Sequence, residues 1–164
     1  MDKEKGMTLR EILQIEELKD VKVIAGEKGL DRVVKNVNVM EVPDIQKWIK
    51  EEQLLLTAGF SIKDDAIAQK NLIPKLAEKG LAGLMIKPKR YIEELPDSMI
   101  EAANQNNFPL LEMPQDLSHP LILEIIYEKL VNRHTSILKK LDTAHQKILN
   151  EVVKGGGLKD ISET

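Results

Sequence analysis

Leu54-Leu55-Leu56-Thr57-Ala58-Gly59 holds a single polar side chain in six residues, and Leu81-Ala82-Gly83-Leu84-Met85-Ile86 and Phe108-Pro109-Leu110-Leu111-Glu112-Met113 repeat its texture downstream. Runs this short and this apolar read as strands covered on both faces, because a strand with one wet face would alternate. Helical patterns separate them: Asp64 to Lys79, stopped by Gly80, and Pro96 to Asn106. Strand, helix, strand, helix, strand implies right-handed crossovers and a parallel sheet. Pro74 removes a backbone donor inside the first crossover helix, which predicts a kink or break near Asn71 to Ile73. Pro109 also lacks a donor and belongs at the start of its strand or on an edge.

Upstream, Thr8-Leu9-Arg10-Glu11 reads as a capping box that opens a short helix, with Met7 placed to staple onto Ile12. Val21, Val23 and Ala25 alternate with Lys22 and Ile24 before Gly26 and Gly29, and Val37, Val39 and Glu41 repeat the pattern. Both read as strands. Pro43-Asp44 then opens a short helix carrying Trp48, with Asp44 as its cap.

Downstream, the pattern stays helical from about Ser118 to Val153, roughly 50 Å of helix at ~1.5 Å per residue. Leu123, Tyr127, Leu130, His134, Ile137, Leu141, Ala144 and Ile148 step by alternating threes and fours, the seam of a coiled coil. Left alone, that seam would face water, so a homodimer is expected, with Leu123, Leu130, His134, Ile137, Leu141 and Ile148 as its contacts. After Lys154-Gly155-Gly156-Gly157 a new apolar pattern begins at Leu158. The expected organisation is an α/β domain over 7–116, a small partly parallel sheet flanked by helices. A long coiled-coil-like dimerisation helix continues from it over 118–154, and 155–164 starts a further domain.

Composition narrows the function. A chain of 164 residues fits one domain and an appendage, and 42% hydrophobic with 3% aromatic residues leaves core filling to Leu, Ile, Val and Ala. The formal charge of -3 gives no attraction to phosphates, so this chain alone is not expected to grip DNA. It has no cysteine, which removes disulfides and thiolate ligands and makes a cytoplasmic setting the default. No apolar run approaches a membrane span, and Met1 to Gly6 is charged where a signal peptide would be apolar.

Chemistry is sparse. His119, His134 and His145 form no i, i+4 pair with a neighbouring acid, so no metal site is expected. The glycine clusters at Gly26 and Gly155 lack the Lys-Ser/Thr pair and the helix that a phosphate-binding loop requires, and no serine sits in a nucleophile elbow. No catalytic residue and no cofactor are expected. Glu41 at a strand end, Asp44 at a helix start, and Thr57 and Gly59 closing the next strand together outline a pocket rim, since ligands gather where parallel strands end. Taken singly, Asp44 also reads as a cap and Thr57 and Gly59 as turn formers.

These pieces resemble the N-terminal domain of purine catabolism regulators of the PucR type, bacterial transcription activators. The resemblance covers most of the chain. It rests on Met7 to Leu13, on Gly29-Leu30-Asp31-Arg32 leading into Val37 to Asp44, on Trp48, on Leu54 to Gly59, on Pro109 to Pro114 and on Leu130 to Arg133. It implies a regulatory domain whose full-length relatives bind DNA through a C-terminal helix-turn-helix, with a purine-derived metabolite as effector. The implied fold is similar to the small N-terminal domains of Mur ligases and of the HPr kinase. Glu51-Glu52-Gln53 stands where members commonly carry Gly-Gly-Glu, and Ala58 replaces a second Thr; where that Glu and Thr contact the effector in other members, the departure implies a different effector here or none. Two alternatives stay open: a ligand-free dimerisation and docking module, and the substrate-recruiting domain of an enzyme.

Overall fold

The structure is a computed structural model that describes residues 6–40, 49–89 and 92–154, with the side chains of 61, 134–141 and 151–154 left aside. Glu41, Asp44 and Trp48, the side chains of His134, Ile137 and Leu141, and the segment 155–164 therefore lie outside the described residues.

The elements are β1 (Met7–Thr8), α1 (Leu9–Leu13), β2 (Lys22–Ala25), β3 (Val33–Val34), β4 (Asn36–Val39), β5 (Gln53–Thr57), α2 (Ala66–Glu78), β6 (Gly83–Ile86), α3 (Asp97–Gln105), β7 (Leu110–Glu112) and α4 (His119–Lys154). Five strands form one sheet in the order β2-β7-β6-β5-β4. The last four run parallel, with Val37 beside Leu54, Leu55 beside Leu84 and Ile86 beside Glu112. β2 joins β7 antiparallel, with a register shift between Val23 and Ala25. β1 and β3 form a separate antiparallel pair, for which no strand pattern is legible in two residues each.

Because successive side chains on a strand point to opposite faces, each apolar run feeds two cores. Leu55, Leu84, Ile86 and Leu110 meet Leu72, Ile73 and Leu76 of α2 and Met99, Ala102 and Ala103 of α3. Leu54, Leu56, Met85 and Leu111 meet Leu9 and Ile12 of α1 and Ile122, Ile126 and Leu130 of α4. The three runs that read as doubly covered strands are therefore covered on one side by the crossover helices and on the other by the chain's two ends.

The antiparallel direction of β2 sets how the chain reaches the far edge. β2 finishes beside Leu110, at the amino ends of the parallel strands, and the segment from Gly26 to Lys35 then runs beneath β7, β6 and β5 to start β4. At two positions it passes too close for a side chain. A Cβ on Gly26, whose φ is +71, would lie 1.9 Å from the Phe108 carbonyl oxygen, and one on Gly29 would lie 2.0 Å from that of Asn107. Arg32 fastens the segment: its guanidinium donates to the carbonyls of Leu81 (3.1 Å), Asn107 (3.2 Å) and Asn106 (3.3 Å) and lies over the Phe108 ring.

Two expectations about helices are resolved here. Thr8 caps α1 as anticipated, its hydroxyl accepting from the Glu11 amide at 3.1 Å while the Glu11 carboxylate accepts from the Thr8 amide at 3.2 Å. Of the kink or break expected near Asn71 to Ile73, the break does not occur, and α2 runs on through Pro74. Pro74 and Lys70, whose carbonyl loses its partner, are both exposed, so water can satisfy that oxygen while Leu72, Ile73 and Leu76 hold the helix to the sheet.

α4 is one continuous helix with two environments. Its first half lies on the sheet through Ile122 and Ile126, both fully buried, and Leu130, 6% exposed. Two polar contacts flank that stripe. The Tyr127 hydroxyl donates to the Val37 carbonyl at 2.9 Å and accepts from the Val37 amide at 3.0 Å, covering backbone groups that edge strand β4 would otherwise leave open to another chain. Arg133 pairs with the second oxygen of Glu11, tying α4 to the cap of α1.

Glu11 thus links pH to the docking of α4. Burial pushes its carboxyl up, but hydrogen bonds from Thr8 and the Arg133 guanidinium and its charge outweigh this and hold it below the ordinary value. The unfolded chain therefore takes up the proton first, so the contribution is complete above about pH 4.3 and is lost as pH falls through the lower folded value. Glu11 and Arg133 are both about a third or more exposed, which limits the effect to about 0.5 kcal/mol. In acid urea melts, Glu11→Gln is expected to flatten the fall in stability below pH 4.3 by about that amount.

Candidate functional site

At the carboxyl ends of β4 and β5, the fully buried Thr57 hydroxyl donates to the Met40 carbonyl and accepts from the Gly59 amide, each at 2.9 Å. Those bonds join the ends of two neighbouring strands. Gly59 has φ +87, and a Cβ there would meet Ile92 at 2.7 Å. Of the four residues expected to rim a pocket, these two are thus engaged in shaping the turn, as their turn-forming reading has it. Glu41 and Asp44 lie outside the described residues. Thr57→Val is expected to cost about 1–3 kcal/mol in urea denaturation, because it leaves the Met40 carbonyl and the Gly59 amide without a partner in a dry interior.

Farther along the same edge, the chain opens into a groove of about 490 Å³ where β7 ends and β2 begins, lined by Lys19 to Lys22, Lys89 and Glu112 to Gln115. Its walls are stapled. The Gln115 carboxamide donates to the Pro88 carbonyl at 2.7 Å, and the Lys87 ammonium donates to the Leu117 carbonyl at 2.9 Å. Lys89 holds φ +71, a left-handed conformation uncommon for a residue with a side chain. Nothing in the sequence flags this groove, since its residues come from three separate segments and form no motif.

The seam residues divide. Leu130 packs into the domain's own core and Leu123 lies partly buried against it, whereas Ile148 is 60% and its neighbour Leu149 44% exposed on the part of α4 beyond the sheet. Of the buried stripe Ile122-Ile126-Leu130, the seam pattern includes only Leu130. A signal for the stripe is present all the same: the first turns of α4 are apolar over an arc wider than a two-stranded seam requires. Among the described residues, no group of three or more His, Cys, Asp or Glu is placed to hold a metal ion, and no helix is long and apolar enough to cross a membrane.

These features define a class of protein module: a small α/β domain with helices on both faces, carrying the root of a long helix on its sheet. The chain belongs to the purine catabolism regulatory protein-like family, which it matches over residues 11–130. It is 32% identical over 155 residues to the purine catabolism regulatory protein of Bacillus subtilis (strain 168), covering 94% of this chain and 29% of that protein. It is 29% identical over 140 residues to the transcriptional activator PmfR of Paenarthrobacter nicotinovorans, covering 85% of this chain and 30% of that one. The chain thus spans less than a third of the length of these relatives. A partial structural likeness, with TM-score 0.49 and 20% identity over 76% of this chain and 49% of the other, is found to the CBS and DRTGG domains of the regulatory region of Clostridium perfringens pyrophosphatase.

Proposed function

We propose that this chain is the non-catalytic input domain of a bacterial transcription regulator of purine catabolism, cytoplasmic and homodimeric, with DNA binding supplied by a C-terminal helix-turn-helix beyond it. A small metabolite biases α4, and α4 carries the bias onward. The observation that supports this most is the division of α4: Ile122, Ile126 and Leu130 pack in the domain core, while the helix beyond residue 133 leaves the sheet with Ile148 and Leu149 exposed. A helix rooted in one domain and paired outside it moves with that domain as a rigid lever. The seam beyond Arg133 supplies the second half of this device, with His134, Ile137, Leu141 and Ile148 meeting a second copy.

The test uses a chimera in which this chain replaces the matching segment of the Bacillus subtilis relative. Inserting seven residues into α4 after Arg133 keeps the seam in phase, and inserting four shifts it. Metabolite-dependent transcription is expected to survive the first insertion and fail with the second. Equal regulation by both would remove the helix from the signalling route.

A second reading, a ligand-free dimerisation and docking module, is favoured by the engagement of Thr57 and the closure at Gly59. Calorimetry of the chain against a panel of purine breakdown products separates the two. Heat from any of them supports metabolite sensing, and silence from all supports the docking module.

A further inference from the structure

We propose that the groove between the start of β2 and the end of β7 binds a small carboxylate that also carries N–H donors, and that it does so at the root of α4. The groove lies outside the carboxyl ends of the parallel strands, where open α/β sheets place ligands, and its volume of about 490 Å³ suits a small molecule. Val21 and Met113, both buried, add apolar side chains to its lining.

Charge names the ligand. Lys19, Lys22 and Lys89 all line one groove in a chain whose net charge is -3. Lys19 has an exposed partner in Glu16 at 3.4 Å, but no ion pair among the described residues engages Lys22 or Lys89. Lys22 and Glu112 even face each other across β2 and β7 without joining. Three lysines against two acids leave the lining with an excess of one positive charge, which an anion placed beside the lysines offsets. Asp20 and Glu112 stand in the same lining, so a bare anion would meet repulsion on that side. N–H donors attached to the carboxylate would satisfy both acids.

The groove is a built feature. Lys89 adopts the left-handed conformation, a backbone state that costs free energy and concentrates at binding sites, while its backbone N–H donates a hydrogen bond to the Ile92 carbonyl at 2.7 Å. Pro88 is buried beneath it and tied to Gln115. From Gln115, Asp116, Leu117 and Ser118 lead directly into α4, where the Ser118 hydroxyl accepts from the Leu121 amide at 3.2 Å. A ligand drawing Lys89 toward Glu112–Gln115 therefore pulls on the entry to the helix. This last step rests on the proposed lever role of α4, whereas binding itself does not.

Amide NMR of the full chain tests the site with three probes of one shape: succinamate, which has charge and donors, succinate, which lacks donors, and succinamide, which lacks charge. Succinamate is expected to shift resonances of Lys19–Lys22, Lys89 and Glu112–Gln115 and, through the linker, of Leu121. Succinamide and succinate are expected to bind at least about tenfold more weakly, and the double variant Lys22→Gln, Lys89→Gln to lose about tenfold in succinamate affinity. Both lysines are exposed, so the variant is expected to keep the far-ultraviolet circular dichroism of the parent. Equal binding of succinamide or of succinate, an unchanged affinity in the double variant, or no localised shift at tens of millimolar succinamate would each overturn the proposal. The insertion experiment on α4 reads helix phase rather than binding, so either can fail without the other.

Discussion

Arg32→Ala is expected to lower the free energy of unfolding by about 3 kcal/mol, a drop in midpoint temperature on the order of 10 °C. The side chain donates three hydrogen bonds to carbonyls of Leu81, Asn106 and Asn107 and rests against Phe108, which is fully buried. Its removal leaves three acceptors without their charged donor at the place where the segment beneath the sheet, the end of α3 and the approach to β6 converge. Water can reach part of this site because Arg32 is itself only half-buried, which keeps the expected loss below the sum of three such bonds. Arg32→Lys is expected to recover less than half of it, since one ammonium cannot address three divergent carbonyls. Thermal denaturation of the two variants beside the parent measures both numbers. A loss under about 1 kcal/mol in the alanine variant, no more than one ordinary hydrogen bond, would mean that Gly26 and Gly29 hold the segment without help.

Ile126→Ala is expected to cost about 3–4 kcal/mol, as large a loss as the most buried positions of the sheet would show. Ile126 is fully buried between Ile122 and Leu130 in the core that also holds Leu54, Leu56, Met85 and Leu111. α4 touches the body chiefly through this one stripe, so a cavity there acts on the whole docking surface. Two readouts are expected to respond: urea melts shift, and the Tyr127 and Arg133 contacts loosen because the helix no longer sits against β4. Ile148→Ala, by contrast, sits where the side chain is 60% exposed and is expected to leave the melting of the domain unchanged. Urea denaturation of these two variants distinguishes a helix that belongs to the core from one that merely leaves it.

The features legible in the sequence are those whose signals are local. Leu54 to Leu56, Leu84 to Ile86 and Leu110 to Leu111 are apolar because both faces of their strands are covered, and that demand acts at every position. The capping box of Thr8 and Glu11 is legible because its two partners are three residues apart. Arg32 carries part of the family likeness while its work stays hidden in the sequence, because its three acceptors lie 49 to 75 residues farther along the chain. α4 reads as one seam because a step of three and four describes both a coiled coil and a docked helix. Leu130 fits both stripes, and only the position of the sheet shows that Ile122 and Ile126 accompany it. Pro74 does not end α2, because the orphaned carbonyl of exposed Lys70 can reach water while Leu72, Ile73 and Leu76 hold the helix to the sheet. The rim at Thr57 and Gly59 has two readings in the sequence, and the hydrogen bonds at 2.9 Å show what the turn-forming one consists of.

The most direct measurement cuts α4 at two places and tracks sedimentation and melting together. A chain ending at Arg133 retains Ile122, Ile126, Tyr127, Leu130 and the pair with Glu11, and is expected to be a folded monomer that melts within a few degrees of the domain in the full chain. The full chain is expected to dimerise, and a chain ending at Asp116, stripped of the docked half, to lose most of its stability. A dimer from the chain ending at Arg133, or an undiminished melting temperature from the chain ending at Asp116, would contradict the division of one helix between its own sheet and a second copy.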